Sequence, residues 1–519
     1  MLPLTVPAVL RAAATDSAAV EAVVAGDVRL TFADLQREVT RFARALLADG
    51  VAPGDRISIW APNTDRWVVA ALGSLSVGAV LVPVNTRFKG EEARHVLGST
   101  GASVLVVDDT FLDAGRLDML AVAGGGPDIR TVVRTDTDQW DRFLDTGAGV
   151  SAEDADAAAA AVKPDDVSDI IFTSGTTGRP KGAMVTHGQS VRLFRDWATN
   201  VGLRAGDRML VVSPFFHSFG YKAGIVACLT ARATLLPVKV LDVDDTLALI
   251  QRERATVVPG APTLYTTFLE HPSLPQYDVS SVRLAVTGAS VVPTELIRRM
   301  RDELGFASVL TAYGLTECCG YATGCRPGDP DDVVSLTSGR AVDGVEVTIA
   351  RPGGGAVPQG EAGEVLVRGF NVMVGYWGDP AATAEAVDSE GWLHTGDVGV
   401  LDAAGNLSIT DRLKDMFVVG GFNAYPAEVE QVLVRHDGVS EAAVIGVPDD
   451  RLGEVGRAFV VARQGAAPTE AELVAWCKDR LAGYKVPRSV ALVDSLPRNA
   501  TGKVDKKLLA SGPPDPEPA

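Results

Sequence analysis

One ten-residue segment has the residue types that suit binding of a polyphosphate. Hydroxyl residues alternate with glycines at residues 173–182, directly after an apolar strand candidate at residues 169–172. Glycine lets backbone N–H groups approach an anion closely, hydroxyls add neutral donors, and Lys181 supplies a positive charge for the outer phosphates. The spacing differs from the GxxxxGK[ST] loop, and Pro180 opposes a helix where that motif has one. We therefore predict a phosphate-binding loop whose chain returns as a strand at residues 183–186.

Charge, cysteine count and apolar patterning exclude several classes of protein. The 519 residues include 48 basic and 66 acidic side chains, a formal net charge of -18, which disfavours a nucleic-acid partner. Five cysteines cannot form a disulfide framework in so long a chain, which favours a reduced cytoplasm. The uncharged stretch at residues 67–84 is long enough to span a membrane, but its glycines, serines and Pro83 favour a buried helix followed by a core strand. We expect a cytoplasmic protein with no integral membrane association.

The pattern of apolar residues predicts an α/β fold with a large and a small domain. In the first 160 residues, helical periodicity at residues 31–48 alternates with short apolar runs such as residues 56–60, which is typical of layered α/β structure. Past residue 330, frequent turns separate short strands and predict a small β-barrel-like module. We place the large domain at residues 1–410, a linker at 411–415, a small α+β domain at 416–510 and a disordered, Pro-rich acidic tail at 511–519.

Further blocks that contain catalytic residue types follow the loop in order. They are PFFHSFG at 214–220, TGAS at 287–290, YGLTE at 313–317, GWLHTGD at 391–397, DRLKD at 411–415, GGFNAYPAE at 420–428 and PRNATGK at 497–503. Together with the loop, the blocks resemble the signatures of the adenylate-forming superfamily of acyl-CoA synthetases, luciferases and peptide-synthetase adenylation domains. The resemblance implies a large domain with two layered α/β subdomains, a mobile carboxy-terminal domain, and ligation in two steps. An acid first reacts with ATP, and the acyl-AMP then reacts with coenzyme A.

The resemblance also implies an ATP site, residue by residue. Lys181 and the loop hold the β- and γ-phosphates, Thr316 contacts the α-phosphate, and Glu317 ligates Mg²⁺ through its hard oxygens. Asp397 accepts hydrogen bonds from both ribose hydroxyls, and Arg412 approaches the ribose from the linker. A helix-capping role for Glu317 and a packed turn in place of the adenine slot are the alternatives. The loop residues are Thr173, Ser174, Gly175, Thr176 and Thr177, and the adenine slot is formed by Gly288, Ala289, Ser290, Tyr313 and Gly314.

The small domain is implied to serve both steps. Lys503 enters the site and bridges the attacking carboxylate to the α-phosphate, where negative charge is greatest in the transition state. Rotation about a hinge at Lys414 then replaces this lysine with the loop of Gly420 and Gly421, which lines a narrow pantetheine tunnel. Glycine suits this loop because a β-carbon would block the tunnel.

The acyl pocket is predicted from the segment that begins at Phe215. Amino-acid-activating relatives carry an aspartate in this neighbourhood, and its absence here argues against an amino acid as the substrate. His217 is predicted to gate the pocket and orient the carboxylate, as a catalytic residue beside Lys503 and Thr316; a core histidine is the alternative. Lys222 is predicted to lie in the pocket wall, where it either snorkels to solvent or meets a polar substrate group.

Two blocks bear on the identity of the acid. The blocks at 217–224 and 372–377 resemble those of ligases of steroid-ring breakdown, which act on bicyclic keto-propanoates. The resemblance implies an indanedione-type propanoate as the substrate and a role in steroid and cholesterol catabolism. A medium- or long-chain fatty acid, an acyl-AMP ligase that loads a carrier protein, and a luciferase-like oxygenase are the alternatives. The oligomeric state stays open, with a homodimer among the options.

Overall fold

A computed structural model describes the greater part of the chain. The described residues are 3–126, 128–173, 180–288, 292, 294–351, 355, 357–412, 415–419, 422–424, 426–449, 452–481, 483–498 and 504–510.

The strands of these residues form four sheets. In chain order they are β1 (Glu21–Ala25), β2 (Val28–Thr31), β3 (Arg56–Trp60), β4 (Val80–Pro83), β5 (Val104–Val107), β6 (Thr131–Arg134), β7 (Val167–Thr173), β8 (Lys181–Thr186), β9 (Arg208–Val211), β10 (Thr234–Pro237), β11 (Val257–Pro259), β12 (Leu284–Gly288), β13 (Ser308–Tyr313), β14 (Thr323–Gly324), β15 (Arg340–Ala341), β16 (Val345–Ala350), β17 (Gly363–Gly369), β18 (Gly375–Tyr376), β19 (Leu393–Leu401), β20 (Leu407–Arg412), β21 (Phe417–Val419), β22 (Phe422–Ala424), β23 (Val439–Asp449), β24 (Gly453–Ala462) and β25 (Ser489–Leu492).

Helices pack against these sheets. They are α1 (Val6–Asp16), α2 (Phe32–Ala48), α3 (Asp65–Ser76), α4 (Gly90–Thr100), α5 (Arg116–Val122), α6 (Gln139–Thr146), α7 (Ala152–Ala161), α8 (His187–Val201), α9 (Ala227–Ala231), α10 (Val243–Glu253), α11 (Pro262–Glu270), α12 (Thr294–Asp302), α13 (Asp331–Leu336), α14 (Pro380–Ala386), α15 (Pro426–Val434), α16 (Glu470–Lys478) and α17 (Lys506–Ala510). A π-helix, Phe219–Val226, precedes α9, and a 3₁₀ turn, Thr316–Cys318, follows β13.

Two large sheets form the body of the amino-terminal part. The nine-stranded sheet has the order β15-β14-β13-β12-β11-β9-β10-β1-β2, and the seven-stranded sheet has the order β18-β8-β7-β4-β3-β5-β6. The neighbours from β13 through β1 in the first sheet and from β7 through β6 in the second pair in parallel. Parallel strands with covering helices are typical of α/β layers, so the predicted α/β class is confirmed.

Two smaller sheets complete the fold. Strands β16, β17, β19 and β20 pair in an antiparallel sheet, which is the predicted β module. Strands β21 to β25 form a separate sheet with its own buried core, packed by α15 and α16 as an α+β unit. The borders at 410, 415 and 510 stay predictions, and the predicted tail at 511–519 lies outside the described residues.

Helix α2 shows how local sequence sets the packing of the body. Its N-cap, Thr31, exchanges hydrogen bonds with Asp34 in a capping box, which satisfies N–H groups at the helix start. Its buried residues recur at helical spacing and include Phe42, which lies against α3. A β-carbon at Gly73 of α3 would lie 2.7 Å from the Phe42 ring, so the close approach of the two helices requires glycine there.

The uncharged stretch at residues 67–84 folds as expected from its glycines and serines. It contains most of α3 and then β4, and both elements are buried in the body. In the part of the chain that the structure describes, no helix combines the length and the apolar character that a membrane span requires.

Candidate active site

The predicted phosphate loop joins two paired strands. β7 and β8 run antiparallel, and Thr173 at the end of β7 lies opposite Lys181 at the start of β8. The predicted return strand is therefore confirmed. The loop residues between them, Ser174, Gly175, Thr176 and Thr177, lie outside the described residues.

Glu317 lies at the centre of a cluster of hard oxygen atoms. Its Oε1 accepts a hydrogen bond from Thr173 Oγ1 at 3.2 Å and another from the Tyr376 phenol at 2.9 Å. The ammonium of Lys181 lies 5.2 Å from the centre of the Tyr376 ring, within the range of a cation–π contact. Thr316 stands beside Glu317 in the 3₁₀ turn. Strands of one sheet and the turn that follows β13 of the other sheet thus bring together the residues predicted to contact the phosphates.

The chemistry of this cluster fits a magnesium ion carried by a nucleotide. Burial and the adjacent Glu317 carboxylate raise the pKa of Tyr376, so its phenol keeps its proton and donates to Glu317. Within the described ranges, no group of three or more His, Cys, Asp or Glu side chains is arranged to hold a metal by itself. One carboxylate is nevertheless sufficient, because Mg²⁺ usually takes most of its ligands from phosphates and water.

Asp397 is the buried carboxylate of a second cluster. Its Oδ2 accepts a 2.7 Å hydrogen bond from the Tyr313 phenol, and its backbone N–H donates to Thr395 Oγ1. Burial and the Asp397 charge raise the pKa of Tyr313, which keeps the phenol protonated. In the antiparallel pair of β19 and β20, Asp397 lies directly opposite Arg412. The two residues predicted to bind the ribose are therefore neighbours in one sheet.

Glycines permit close backbone approach beside Tyr313. Gly288 ends β12 opposite Ala312 of β13, and a β-carbon at Gly288 would collide with the Ala312 carbonyl oxygen. A β-carbon at Gly314 would collide with the backbone of Gly320. Glycine is required at both positions, as expected for a slot walled by backbone. Ala289 and Ser290 lie outside the described residues.

His217 lies at the surface, two residues before the π-helix. Its Nδ1 accepts a hydrogen bond from the Phe219 N–H at 3.3 Å, and its side chain is exposed. The alternative of a core histidine is therefore wrong. The gating role of His217 stays a prediction.

Lys222 has a different environment from the one expected in a pocket wall. The lysine lies on the π-helix and its side chain is 0% exposed, so it does not snorkel to solvent. Its Nζ lies 2.9 Å from Asp169 Oδ1 and donates to Cys319 Sγ at 3.5 Å. Because a buried charge needs a counter-charge, the structure gives Lys222 a partner within the protein in place of the substrate group expected from the sequence.

Four predicted residues of the small domain and linker fall outside the described part of the chain. They are the catalytic Lys503, the hinge Lys414, and the tunnel residues Gly420 and Gly421. Their roles stay predictions.

Sequence reasoning misses two residues of the clusters. Tyr376 lies in the block at residues 372–377, whose resemblance to other ligases assigns no role to this tyrosine. Asp169 is a charged residue in an otherwise apolar strand, as Lys222 is in an apolar helix. Two isolated opposite charges in apolar segments are a signal of a buried pair, since a lone charge in a core is very costly.

Comparison with known proteins matches most of the chain to one family. Residues 10–377 match the model of the AMP-binding enzymes, and residues 428–503 match the model of the AMP-binding enzyme C-terminal domain. The chain is 51% identical, over 98% of both chains, to the 3-[(3aS,4S,7aS)-7a-methyl-1,5-dioxo-octahydro-1H-inden-4-yl]propanoyl:CoA ligase of Rhodococcus jostii (strain RHA1). It is 52% identical to the ligase of the same name from Mycobacterium tuberculosis (strain ATCC 25618 / H37Rv), over 97% of this chain and 98% of the relative.

A solved structure shows the same fold. The crystal structure of ATP-bound MatB from Rhodopseudomonas palustris superimposes with a TM-score of 0.88 at 30% identity and covers 98% of this chain and 99% of that one. The resemblance to the adenylate-forming enzymes predicted from the eight blocks is thus confirmed. The chain belongs to the AMP-binding enzyme family, which it matches in both its large and its small domain.

Proposed function

We propose that this protein activates an indanedione-type propanoate and transfers it to coenzyme A. One observation carries the choice of acid: over nearly its whole length the chain is 51–52% identical to two ligases that are named for this acyl group. The protein is an acyl-CoA synthetase, with ATP and coenzyme A as co-substrates. The proposed acid places it in the breakdown of steroid rings.

The reaction proceeds in two steps that share one acyl-AMP. A carboxylate oxygen attacks the α-phosphorus of ATP, the bond to the β-phosphate oxygen breaks, and pyrophosphate leaves. The thiol of coenzyme A then attacks the acyl carbonyl carbon, AMP leaves, and the thiol proton passes to solvent. Because both reactants of the first step are anions, the enzyme must supply positive charge and hydrogen-bond donors at the α-phosphate.

The cluster around Glu317 is the proposed phosphate site. Lys181 and Thr173 stand at the two ends of the phosphate loop, where they hold the β- and γ-phosphates, and Thr316 donates to the α-phosphate. Glu317 would hold Mg²⁺, which would supply positive charge beside the phosphates. The hydrogen bonds from Thr173 and Tyr376 support this role, because they fix the Glu317 carboxylate in one orientation.

The cluster around Asp397 is the proposed nucleoside site. The carboxylate accepts hydrogen bonds from the ribose hydroxyls, and Arg412 approaches from the facing strand. The flat adenine ring occupies the slot beside Tyr313, where Gly288 and Gly314 leave room. Ala289 and Ser290 complete the slot in this proposal.

The small domain supplies the groups that distinguish the two steps. Lys503 bridges the carboxylate and the α-phosphate during adenylation. Rotation about Lys414 then brings Gly420 and Gly421 to the tunnel for coenzyme A. The match of residues 428–503 to the family's C-terminal domain supports the assignment of Lys503, because it extends to that residue.

The segment around the π-helix is the proposed acyl site. Residues 214–226 contain no acidic residue that would pair with a substrate ammonium, and most of the π-helix side chains are apolar, as a fused carbocycle requires. His217 stands at the exposed start of this segment and gates it.

A panel of acids tests the proposal. Purified protein is given ATP, Mg²⁺ and coenzyme A with the indanedione propanoate, octanoate, palmitate or ferulate, and AMP and acyl-CoA are quantified. We expect kcat/KM for the indanedione acid to exceed that for each other acid by at least about 10²-fold, the scale on which a shaped pocket discriminates. A preference for a fatty acid would contradict the proposed substrate, and AMP release without a thioester would instead indicate an acyl-AMP ligase.

A further inference from the structure

Three segments of the proposed site meet at one buried ammonium group. Lys222 on the π-helix lies 2.9 Å from Asp169 on β7 and 3.5 Å from the sulfur of Cys319, and both charged side chains are 0% exposed. Asp169 also accepts a hydrogen bond from Ser168 Oγ at 2.7 Å.

Each partner of Lys222 is close in sequence to a residue of the phosphate site. Asp169 lies on the same strand as Thr173, which ends in the phosphate loop. Cys319 directly follows the turn that carries Thr316 and Glu317. The π-helix that carries Lys222 belongs to the proposed acyl site. The ion pair therefore connects the strand that leads to the phosphates, the turn that carries the proposed metal ligand, and the helix of the acyl site.

The backbone of the turn adopts a conformation that needs support. Cys319 has a φ of 60°, in the left-handed region that side chains other than glycine seldom adopt. The next residue, Gly320, approaches the start of the π-helix so closely that a β-carbon there would lie 3.1 Å from Ser218 Cβ. The contact of Lys222 with the Cys319 sulfur is one of the interactions that hold this turn against the helix.

Stability alone does not account for the ion pair. Burial acts most strongly on the pKa of Lys222 and lowers it, but the charges and hydrogen bonds of Asp169 and Cys319 together outweigh burial, so the net shift is upward and the lysine stays charged. A buried ion pair can often be replaced by apolar side chains of similar volume with no loss of stability. Apolar side chains do not, however, reproduce contacts of fixed direction. The π-helix that carries Lys222 also points to a functional role, because π-helical segments are frequent at functional sites.

We propose that Lys222 and Asp169 form a positioning pair for adenylation, which fixes the acyl helix relative to the phosphate strand and the Glu317 turn. Neither residue touches the reacting atoms. The inference rests on the proposed function only in that the protein forms an acyl-AMP, and it holds for whichever acid the enzyme activates.

The test separates positioning from stability. Lys222→Met leaves Asp169 unpaired in the core, so we expect both the melting temperature and the adenylation rate to fall. In the double variant Lys222→Met/Asp169→Leu, we expect the melting temperature to return to within a few degrees of the wild-type value. We expect the kcat of the double variant for ATP–pyrophosphate exchange to remain about 10²-fold below the wild-type value, because a misplaced reactant lowers the rate by about this factor. Thioester formation from supplied acyl-AMP stays within about 3-fold of wild type, because that step does not need the aligned phosphates.

A matched control is the ion pair of Arg208 and Glu253. Arg208 lies at the start of β9, whereas Gly288 and Tyr313 of the proposed site lie at the ends of β12 and β13 in the same sheet. Arg208→Met is expected to lower the melting temperature and to leave the exchange kcat unchanged. Recovery of both the melting temperature and the adenylation rate in the double variant would overturn the inference. It would show that the pair only fills space in the core and has no positioning role.

The test of the positioning pair can fail or succeed independently of the test of the proposed substrate, because it can be run with any acid that the wild type activates. If the wild type activates octanoate but not the indanedione propanoate, the proposed substrate is refuted, and the ratio of variant to wild-type rates is measured with octanoate. A readout independent of activity is amide hydrogen exchange. We expect faster exchange at residues 316–320 in the double variant than in wild type, and unchanged exchange there would contradict the inference.

Discussion

Tyr313 and Asp397 lie on two different sheets and are joined by a 2.7 Å hydrogen bond from the phenol to the carboxylate. Tyr313 ends β13 of the nine-stranded sheet, whereas Asp397 lies on β19 of the antiparallel sheet. The residues are 84 positions apart in sequence. Because Asp397 also lies opposite Arg412 at the end of β20, the proposed ribose ligand is held at the edge of the body, next to the predicted linker.

Tyr313→Phe tests whether this hydrogen bond positions the ribose ligand. Loss of a hydrogen bond to a charged group costs about 1.5–3 kcal/mol, so we expect the KM for ATP to rise roughly 10-fold or more. Titration calorimetry with ATP or AMP provides a second measure. Tyr265→Phe is the matched control, since it removes a buried phenol that donates to the Val258 carbonyl of the same sheet at 2.8 Å. The control should lose stability with an unchanged KM, and an unchanged KM in Tyr313→Phe would refute the assignment.

Tyr376→Phe tests the orientation of Glu317. The variant loses the 2.9 Å hydrogen bond to Oε1, so the carboxylate is no longer held in one direction. We expect adenylation to slow by about 10-fold, the scale of one charge-assisted hydrogen bond, with a higher Mg²⁺ concentration needed for half-maximal rate. Trp377→Phe removes the neighbouring hydrogen bond to the Ser99 carbonyl and should leave the Mg²⁺ dependence unchanged. Identical Mg²⁺ titrations for Tyr376→Phe and wild type would argue against a positioning role.

Some strands of the body follow from apolar runs that the sequence makes visible. Strand β3 coincides with the predicted run at residues 56–60, because a short run of β-branched and aliphatic residues between turns has few other ways to be buried. The hairpin of β7 and β8 is equally predictable, since Pro180 prevents a helix after the loop.

Lys503→Ala tests the division of labour between the two half-reactions. Adenylation is expected to fall by at least about 10²-fold, the scale for one oriented donor to a transition state. Thioester formation from supplied acyl-AMP should largely survive. Lys506→Ala is a matched control, because its ammonium pairs with Glu430 at 2.8 Å, and we expect it to change neither rate. Equal loss of both half-reactions in Lys503→Ala would show that the lysine is not specific to adenylation.

Protonation of His187 is expected to destabilise the body at acid pH. This buried residue accepts a hydrogen bond from the Val6 N–H, and burial lowers its pKa to about 4. The unfolded chain binds the proton near the ordinary value of 6.5, so stability is lost as the pH falls from about 6.5 toward 4. At pH 5 the loss amounts to about 2 kcal/mol.

Asparagine at position 187 offers a hydrogen-bond acceptor that does not titrate. We therefore expect His187→Asn to lose less stability than wild type between pH 7 and pH 5 in urea unfolding experiments. The same loss in both proteins would exclude His187 as the source of acid sensitivity.

The contacts that matter most in the site are the ones that sequence reasoning could not supply. Lys222 and Asp169 are each visible as a charge in an apolar segment, but only the fold shows that they face one another. Tyr376 reaches Glu317 across 59 positions of sequence, and a tyrosine after a glycine carries no signal of that partner. Pairings between distant segments depend on tertiary packing, which periodicity and composition do not encode.

The most direct test of the account is a rapid-quench measurement on the wild-type protein. Enzyme is mixed with labelled ATP, Mg²⁺ and the indanedione propanoate, quenched at intervals, and then chased with coenzyme A. The proposed two-step reaction predicts that a mixed anhydride of the acid and AMP accumulates to about one equivalent per active site and is converted to acyl-CoA and AMP in the chase. Formation of acyl-CoA with no such anhydride, or no reaction of the acid with ATP, would contradict it.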